Sequence, residues 1–476
     1  MTTAMIPRRL PPAPLPVASR GRRRRLAART AWELTAVTLI WGTSLVIAAL
    51  WVAGGGVHGV LAGGADALNA LGRLTGLTSA NLLLYQVLLM ARIPVFERGF
   101  GRDAITRMHR LTGFWSFWLL LVHITLLVFG YAAQEGIDPL AELWTFIWDY
   151  PGMLLATAGT ALLILIVVTS IRRARRRMRY EGWHLIHLYG YLGVGLAVPH
   201  MLWTGSDFLA SPLATGYWWT LWAVTAASAV LWRLAVPLIR SLHHDLRVHS
   251  VRADGAHGVE VVVTGRELHR LKARAGQFFV WRFLGGPGWT RGNPFSLAAD
   301  PDGSQLTLSA RIVGDGTRRL TTLRPGTRVL VEGPYGTLTG DARRGRRLLM
   351  LGAGAGVAPL VSLLEGEDYA PGDAVLVTRD SARPEGLCSD AIAGLQADRG
   401  LVHVALDGPR APGDSPWLPH SHAAWQGSDL LRFLVGDLSD CDVYLCGPPA
   451  WMDALIADVR TAGVADTRIH TESFSV

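Results

Sequence analysis

Cysteine is scarce in this sequence of 476 residues, and its three cysteines, Cys388, Cys441 and Cys446, all lie in the second half. They do not form a Cys-x4-Cys-x2-Cys run, which argues against a plant-type [2Fe–2S] cluster. They also indicate no disulfide framework, so we expect the second half to occupy a reducing compartment. The sequence contains no EF-hand loop, which argues against direct control by calcium.

Charged side chains are also few, at 17% of the residues, whereas half of the residues are apolar. Such a composition is unusual for a water-soluble protein. The net charge is +9, and arginines cluster at 20–25 and 172–177, next to long apolar runs. Basic residues in such places usually set the orientation of a membrane protein. We therefore expect the first half of the chain to lie in a lipid bilayer and not to bind nucleic acid.

Six apolar segments approach the roughly 20 residues that a membrane-spanning helix needs. They are 32–53, 79–96, 110–131, 152–171, 184–204 and 216–239. The second is the weakest, because Gln86 and Arg92 interrupt it. The N-terminus and the second and fourth connections are basic, whereas the loop at 132–150 is acidic. The positive-inside rule thus places both termini in the cytoplasm, and the Pro-rich residues 1–30 are predicted to be a disordered basic tail.

Histidines recur at two matching depths on the third and fifth predicted spans. His109 and His123 are 14 residues apart, and His187 and His200 are 13 apart, which is roughly 20 Å along either helix. Ionisable groups within a membrane are candidates for function, although each imidazole could simply bind a neighbouring helix. Four histidines at matching depths on two helices that run in the same direction indicate two haem groups, each held by one histidine from each helix. His184 is an alternative to His187 as the inner haem ligand on the fifth span.

After about residue 247 the sequence predicts a small antiparallel barrel, and from Arg346 it predicts a parallel sheet with helices. Phe295 and Ser296 in "RGNPFSL" could contact a flavin, although an ordinary strand with an inward Phe is an equal alternative. Arg311, together with the turn that contains Gly316 and Thr317, suits a pyrophosphate.

A glycine-rich turn with Gly352, Gly354 and Gly356 follows an apolar strand and precedes an apolar helix, a context typical of dinucleotide binding. After the next strand, Arg379 and Arg383 could pair with a 2′-phosphate, which favours NADPH over NADH; two solvated arginines are the alternative. The turn that starts at Cys446 follows a strand, where ligands bind in open α/β sheets. Cys446 could also be a buried small hydrophobe.

This order of features resembles the NADPH oxidase and ferric reductase family of transmembrane flavocytochromes. The motifs are "NPFSL", "GDGT", "EGPYG", "GAGAGVAPL" and "CGPPAWM", and they follow the paired histidines. The resemblance implies a six-helix transmembrane bundle at 31–243, an FAD-binding barrel at 244–342 and an NAD(P)H-binding α/β domain at 343–476. The last two are similar to the ferredoxin–NADP reductase fold.

The resemblance also implies roles for single residues. The inner b-type haem is assigned to His109 and His187, and the outer one to His123 and His200. The flavin ring is assigned to Phe295, Ser296 and Leu297, and the FAD phosphates to Arg311, Gly316 and Thr317. Either Phe474 covers the flavin ring, or access to the ring is less restricted than is usual in the family. The dinucleotide is assigned to Gly352, Gly354, Gly356, Thr378, Arg379, Gly447 and Pro448, with Cys446 near its reactive ring. The sequence departs from the family at Asn293, where histidine is usual, and at its C-terminus, which lacks a terminal aromatic residue.

The function that the resemblance implies is electron transfer across the plasma membrane. Electrons would pass from cytosolic NADPH or NADH through FAD and two b-type haems to an extracytoplasmic acceptor, either oxygen or ferric iron. One alternative is a reductase that supplies a quinone or a partner redox protein. Another is a haem-free, membrane-anchored flavin reductase whose histidines are structural. The sequence identifies no protein partner.

Overall fold

The computed structural model describes residues 20–175, 177–178, 180–209, 211–286, 288–289, 291–381, 386–411 and 415–473. These residues form two compact units. One contains 32–100 and 104–234, and the other contains 235–473 together with 20–31 and 101–103. The predicted barrel and nucleotide-binding domains thus belong to a single unit.

The first unit is entirely helical. Its helices are α1 (Arg20–Ala53), α2 (Gly56–Ala62), α3 (Gly64–Met90), α4 (Pro94–Glu135), α5 (Pro139–Asp149), α6 (Met153–Ser170), α7 (Arg172–Arg175), α8 (Tyr180–Thr204), α9 (Ser206–Leu209) and α10 (Pro212–Val230). Side chains cap two of them, because Asp138 accepts from the amide of Leu140 and Ser211 from that of Ala214. Helix α1 begins at Arg20, so the prediction of disorder is wrong for 20–30, and residues 1–19 lie outside the described range.

Five helical segments in the described part of the chain are long and apolar enough to cross a membrane. They are Leu34–Ala53, Ala104–Glu135, Met153–Ser170, Gly182–Thr204 and Pro212–His244. The predicted count of six spans is therefore not confirmed. The segment predicted at 79–96 belongs instead to α3, which starts earlier, at Gly64, and ends at Met90. This helix is long, but its polar residues lower its hydropathy.

The polar residues of α3 bind neighbouring helices. Asn81 donates to the hydroxyl of Tyr85 (3.0 Å), which in turn donates to the carbonyl of Ile40 (2.9 Å). Ser79 donates to the carbonyl of Ser116 (2.8 Å). Because hydrocarbon offers no hydrogen bonds, such partners are what make polar groups tolerable within a membrane domain. Helix α3 also contributes to a buried apolar cluster of Ile47, Leu77, Ala80, Leu84, Phe208 and Trp218.

The second unit starts with α11 (Val236–His244) and continues with two three-stranded antiparallel sheets. Its first strands are β1 (Arg247–Asp254), β2 (Gly258–Thr264), β3 (Phe278–Phe283), β4 (Asn293–Ser296), β5 (Gln305–Arg311) and β6 (Val329–Tyr335), with the short helix α12 (Asp315–Arg318) before β6. The sheet orders are β1-β2-β5 and β4-β3-β6, and a bridge between Leu297 and Leu308 links β5 to the end of β4. Both sheets contribute to one core, in which Phe279, Trp281 and Leu308 are fully buried.

A five-stranded parallel sheet follows, which confirms the predicted α/β fold. Its elements are β7 (Arg347–Ala353), α13 (Val357–Gly366), β8 (Ala374–Asp380), α14 (Ser389–Arg399), β9 (Val402–Asp407), α15 (Gly427–Val435), β10 (Cys441–Gly447), α16 (Pro449–Thr461) and β11 (Ile469–Ser473). The strand order is β11-β10-β7-β8-β9, so the chain reverses its direction of growth between β7 and β10. Ligands bind at such a switch point, beyond the carboxyl ends of the strands. Apolar clusters cover both faces of the sheet.

Candidate functional site

The two outer histidines each direct one nitrogen at a backbone carbonyl. Nδ1 of His123 lies 2.8 Å from the carbonyl oxygen of Gly72, and Nδ1 of His200 lies 2.6 Å from that of Ala197. A carbonyl can only accept, so each Nδ1 carries the proton and each Nε2 carries the free lone pair. This arrangement is typical of metal-binding histidines, whose second nitrogen is oriented by a hydrogen bond.

The inner histidines face one another. The ring centres of His109 and His187 are 6.0 Å apart, and their planes meet at 66°. A metal between two imidazoles, with bonds of roughly 2 Å and ring centres about 1 Å behind each nitrogen, gives roughly the same separation. Nδ1 of each ring is buried and has no hydrogen-bond partner among the described residues. Trp183, one turn earlier on α8, stacks on His187 with the ring centres 5.0 Å apart.

These two pairs fit bis-histidine haem better than a bare metal ion. No group of three or more His, Cys, Asp or Glu side chains that could hold a metal occurs among the described residues. A porphyrin supplies four equatorial nitrogens itself, so two imidazoles complete the ligand set of its iron. The candidate pairs therefore have the right ligand type and number, and His187 is the inner histidine that contacts His109.

The candidate flavin-binding residues lie at β4 and the segment that follows it. Phe295 is half-buried, and its carbonyl accepts from Nε1 of Trp281 at 3.0 Å. Ser296 is largely buried in register with Phe278. Leu297 has no exposed surface and packs in the core of the two sheets. Of the three, Phe295 has the most accessible side chain, whereas Leu297 serves the core in this structure.

The candidate FAD-phosphate residues are brought together only in part. Asn293 lies beside Gly316 of α12. A Cβ atom added to Gly316 would be 3.2 Å from Oδ1 of Asn293. The hydroxyl of Thr317 accepts from the amides of Val313 and Gly314 and so closes the turn on itself. Arg311 instead binds both carboxylate oxygens of Asp380, at 2.8 and 3.1 Å. Its guanidinium is thus committed to strand β8 of the parallel sheet.

The glycine-rich turn follows strand β7 and precedes helix α13, as predicted, and it lies at the switch point of the parallel sheet. Gly352 is in register with Thr378 on one side and with Cys446 on the other. A Cβ at Gly356 would lie 2.0 Å from the carbonyl oxygen of Cys446, so only glycine fits there. The turn therefore packs directly against the end of β10 and leads into α13, whose N-terminus favours negative charge.

Cys446 ends fully buried in the apolar core on one face of the sheet. Gly447 and Pro448 follow it and lead into α16, which begins at Pro449. The backbone of this turn lies at the carboxyl end of β10, where a dinucleotide would bind, while the thiol itself faces the core. The predicted contact of Cys446 with a reactive ring stays a prediction, and Phe474 lies outside the described residues.

A cavity of about 220 Å³ opens beyond the carboxyl ends of β8 and β9. Its lining includes Gly354, Thr378, Asp380, Gln396, His403 and Asp407. Nε2 of His403 lies 2.9 Å from the hydroxyl of Thr378. Burial lowers the pKa of His403, and the nearby Asp407 offsets this only in part. The imidazole is therefore neutral at pH 7 and adds no positive charge to the cavity.

Arg379 is less available than its position in the sequence indicates. Its side chain is only 6% exposed, and its guanidinium donates to the carbonyls of Trp417 (3.0 Å), Leu406 (3.2 Å) and Asp380. Arg383, the second candidate for a 2′-phosphate, lies outside the described residues.

Two strand-end carboxylates and one near the C-terminus were missed at the sequence level. Asp380 and Asp407 end β8 and β9, and the rule that ligands bind at strand ends could have found them. Glu472 is in register with Cys446, and its carboxylate lies 3.4 Å from the amide of Leu338. Only recognition of β11 as the edge strand could have placed it there.

Comparisons with known proteins include one family match, which lies almost entirely within the first unit. Residues 75–198, which contain three of the four candidate haem ligands, match the family described as "Ferric reductase like transmembrane component". The heavy chain of a superoxide-generating NADPH oxidase from Dictyostelium discoideum is 23% identical over 44% of this chain and 41% of its own length. The chain fits the NADPH oxidase and ferric reductase family.

Other similar proteins are ferredoxin reductases. The ferredoxin–NAD(+) reductase component of the alkene monooxygenase system of Xanthobacter autotrophicus is 30% identical over 45% of this chain and 64% of its own length. A ferredoxin NADP+ reductase from Neisseria gonorrhoeae, solved with bound FAD and NADP, aligns with 48% of this chain and 97% of its own, at 20% identity and a TM-score of 0.39. The chain spans less than two thirds of the length of these curated relatives.

Proposed function

We propose that this protein is an NAD(P)H-dependent oxidoreductase that transfers electrons across a cell membrane. The proposed route starts at cytosolic NAD(P)H and runs through FAD and two b-type haems to oxygen, which becomes superoxide, or to ferric iron on the other side. The observation that carries the proposal is the pair of histidine levels on α4 and α8, with Nε2 of His123 and His200 left free by carbonyl-bound Nδ1 atoms.

The chain's own residues would position these groups. His109 and His187 would hold one haem iron, and His123 and His200 would hold the other. The carbonyls of Gly72 and Ala197 keep the outer imidazoles in the tautomer that binds a metal. When bound, FAD would take two electrons from NAD(P)H and release them singly, as haem iron requires.

The second unit supplies the two nucleotide sites. Phe295 offers its half-buried ring to the flavin, and Asn293 next to Gly316 offers an amide where histidine is usual in the family. The turn from Gly352 to Gly356 brings backbone amides and a helix N-terminus to the dinucleotide phosphates. A hydride transfer between the two needs no proton donor, so no acid–base residue is assigned.

The visible spectrum of the purified protein tests this proposal. We expect b-type absorbance in the dithionite-reduced protein and a ratio of two haems to one flavin. A His123→Ala, His200→Ala double variant should lose about half of the haem, because one of the two levels loses both ligands. Production of superoxide or reduction of chelated ferric iron upon addition of NAD(P)H then identifies the acceptor.

His184→Ala is the matched control, since His184 lies on the same helix as His187 and His200. This variant should keep both haems. A wild-type protein that contains flavin but no haem would refute the transmembrane route and leave the haem-free reductase. Loss of haem in His184→Ala but not in His187→Ala would reassign the inner ligand.

A further inference from the structure

We infer that Arg175 and Trp183 are positioning residues for His187, the proposed inner haem ligand on α8. The indole of Trp183 fixes the plane of the imidazole, and the guanidinium of Arg175, held over the same indole, raises the reduction potential of the iron that His187 would bind. The inference rests on the proposed function, because it concerns one of the two proposed haems. It goes beyond that function by naming residues that act on the inner haem through its ligand.

The inner ligand on α8 is oriented differently from both outer ligands. Nδ1 of His123 and Nδ1 of His200 each lie within hydrogen-bonding distance of a backbone carbonyl. Nδ1 of His187, in contrast, is buried and has no hydrogen-bond partner among the described residues. A metal-binding histidine is usually oriented by a hydrogen bond from its second nitrogen, so the ring of His187 needs another contact to hold its plane.

Trp183 provides that contact. It lies four residues before His187 on α8, so the two side chains are neighbours on one face of the helix. Their rings are stacked, with centres 5.0 Å apart and planes that differ by 28°. Nε1 of Trp183 donates to the hydroxyl of Ser170, at the end of α6, over 3.4 Å. The indole is thus tied to a second helix and limits the rotation of the imidazole.

Arg175, the last residue of α7, lies over the same indole. Its Cζ is 4.3 Å from the centre of the Trp183 ring, a distance at which a guanidinium is attracted to the negative face of an aromatic ring. The contact places an exposed side chain next to α8, close enough to His187 to act on it electrostatically. Arg175, Trp183 and His187 therefore form a continuous series of contacts, which we call the inner-ligand stack.

The charge of Arg175 has a definite effect on a haem iron bound to His187. Reduction adds one negative charge to the haem, and a nearby cation stabilises that reduced state. The size of the effect is limited by the exposure of Arg175 to solvent. Arg110 acts electrostatically on His109, the other inner ligand, and contributes a background that stays constant when Arg175 is changed.

Potentiometric titration of the purified full-length protein, followed by the absorbance of reduced haem, tests the role of Arg175. The His123→Ala, His200→Ala double variant serves as the background, because it would keep only the inner haem. We expect Arg175→Gln to lower the midpoint potential of this haem by at least about 30 mV, which is roughly a threefold change in a one-electron equilibrium. With both outer ligands present, the same shift should appear in one of the two components of the titration.

Two further variants control for the loss of charge. Arg175→Lys keeps the positive charge and should restore most of the potential. Arg173→Gln removes the same charge from an exposed residue of α7 that is not part of the inner-ligand stack, and it should leave the potential unchanged.

Electron paramagnetic resonance of the ferric protein tests the role of Trp183, because the g values of a low-spin haem depend on the relative orientation of its two axial imidazoles. We expect Trp183→Leu to change the g values of the inner haem, and Trp183→Phe, which keeps an aromatic face, to restore them. Trp183→Leu should also abolish the effect of Arg175→Gln on the potential, since the guanidinium is then no longer held over a ring.

The outcomes separate the two proposals. A wild-type protein without haem would refute the proposed function itself. With haem present, equal shifts of the potential in Arg175→Gln and Arg173→Gln would overturn the inference, as would unchanged g values in Trp183→Leu. Loss of the inner haem in Trp183→Leu that Trp183→Phe reverses would support orientation by an aromatic ring, whereas loss in both variants would assign Trp183 to folding and overturn its positioning role.

Discussion

Gly76 on α3 lies directly against the ring of His123, where a Cβ would be 2.4 Å from Nδ1. A methyl group there must displace the imidazole from the carbonyl of Gly72, which orients it. We expect Gly76→Ala to lose most of the outer haem and at least about tenfold in electron transfer, as is typical when the orienting partner of a ligand is disturbed. The haem-to-protein ratio of the purified variant checks this expectation.

Gly195→Ala provides the control for that variant. Gly195 lies in the interior of α8, and a Cβ there would meet no atom of the described residues within 4 Å. It makes the same chemical change in a helix that bears a ligand, and its haem content should equal that of the wild type. Full haem content in both variants would mean that His123 does not bind the outer haem in the described orientation.

For single residues, the sequence indicated the depth of the histidines in the predicted helices, whereas the choice of His187 over His184 rested on the resemblance to a family. The spacing of His109, His123, His187 and His200 was sufficient to propose two pairs, and the structure brings His109 and His187 together. The surroundings of Arg379 were harder to predict from the sequence, because side chains alternate between the two faces of a strand. In β8 the side chains of Thr378 and Asp380 are half-buried, whereas Arg379 between them is buried. A shift of one position thus separates a half-buried side chain from a buried one that binds backbone carbonyls.

At the scale of elements, a buried carboxylate joins two strands of the parallel sheet to the segment before β7. Asp442 of β10 has no exposed surface and accepts from Nε2 of His470 on β11 at 2.8 Å. It also accepts from the amides of Arg344 (2.7 Å) and Gly345. Burial alone would raise the pKa of Asp442, but these hydrogen bonds outweigh it and hold the pKa below its usual value.

We expect Asp442→Asn to destabilise the second unit by about 2 kcal/mol, because a buried amide cannot accept all of the hydrogen bonds that the carboxylate receives. The lowered pKa gives the sign of the pH dependence. The stabilisation by the carboxylate is complete above the unfolded pKa of about 4 and is lost as the pH falls through the lower folded pKa. Urea unfolding at pH 7 and at successively lower pH should show that the free energy of unfolding falls more steeply with decreasing pH in the wild type than in the variant.

Asp453→Asn, an exposed change on α16, should leave both the midpoint of unfolding and its pH dependence unchanged. If Asp442→Asn matched the wild type at pH 7, the hydrogen bonds around Asp442 would contribute no net stability. If the free energy of unfolding fell equally with decreasing pH in the two proteins, the loss of stability in acid would be due to other carboxylates.

The elements of the second unit were predicted from sequence more completely than those of the first. The strands β7, β8 and β10 are largely apolar, and their type could be predicted from these runs. Hydropathy was less informative for α3, since a helix whose polar groups are satisfied by its neighbours can be buried without being uniformly apolar. Side-chain partners such as the Tyr85–Ile40 hydrogen bond are visible only in the fold.

At the scale of the whole molecule, the sequence divided the second half into two domains, but the structure joins them through specific polar contacts. Asp254, at the end of β1, accepts from the amide of Cys388 at 2.8 Å and from the hydroxyl of Ser309. The Arg311–Asp380 ion pair makes a second connection between the antiparallel and parallel sheets. These contacts join residues far apart in the chain, so no local pattern could have predicted them.

Orientation is the property of the whole molecule on which the direction of electron flow depends. The loop charges predict that the connection that contains α5 lies outside the cell and the parallel sheet inside. The described cysteines suit a labelling test, because all three are buried. Burial raises the pKa of Cys441 to about 12 and that of Cys388 above its usual value, so these thiols stay protonated and react slowly.

New cysteines at exposed alanines would therefore report orientation against a low background. We expect a membrane-impermeant maleimide to label Ala141→Cys, on α5, in intact cells, and to label Ala424→Cys, before α15, only after lysis. The wild-type protein, treated identically, controls for the native thiols. Labelling of Ala424→Cys in intact cells, with Ala141→Cys protected, would reverse the orientation. NAD(P)H in the cytosol could then not reach the cavity at the ends of β8 and β9, and the proposed direction of electron transfer would be wrong.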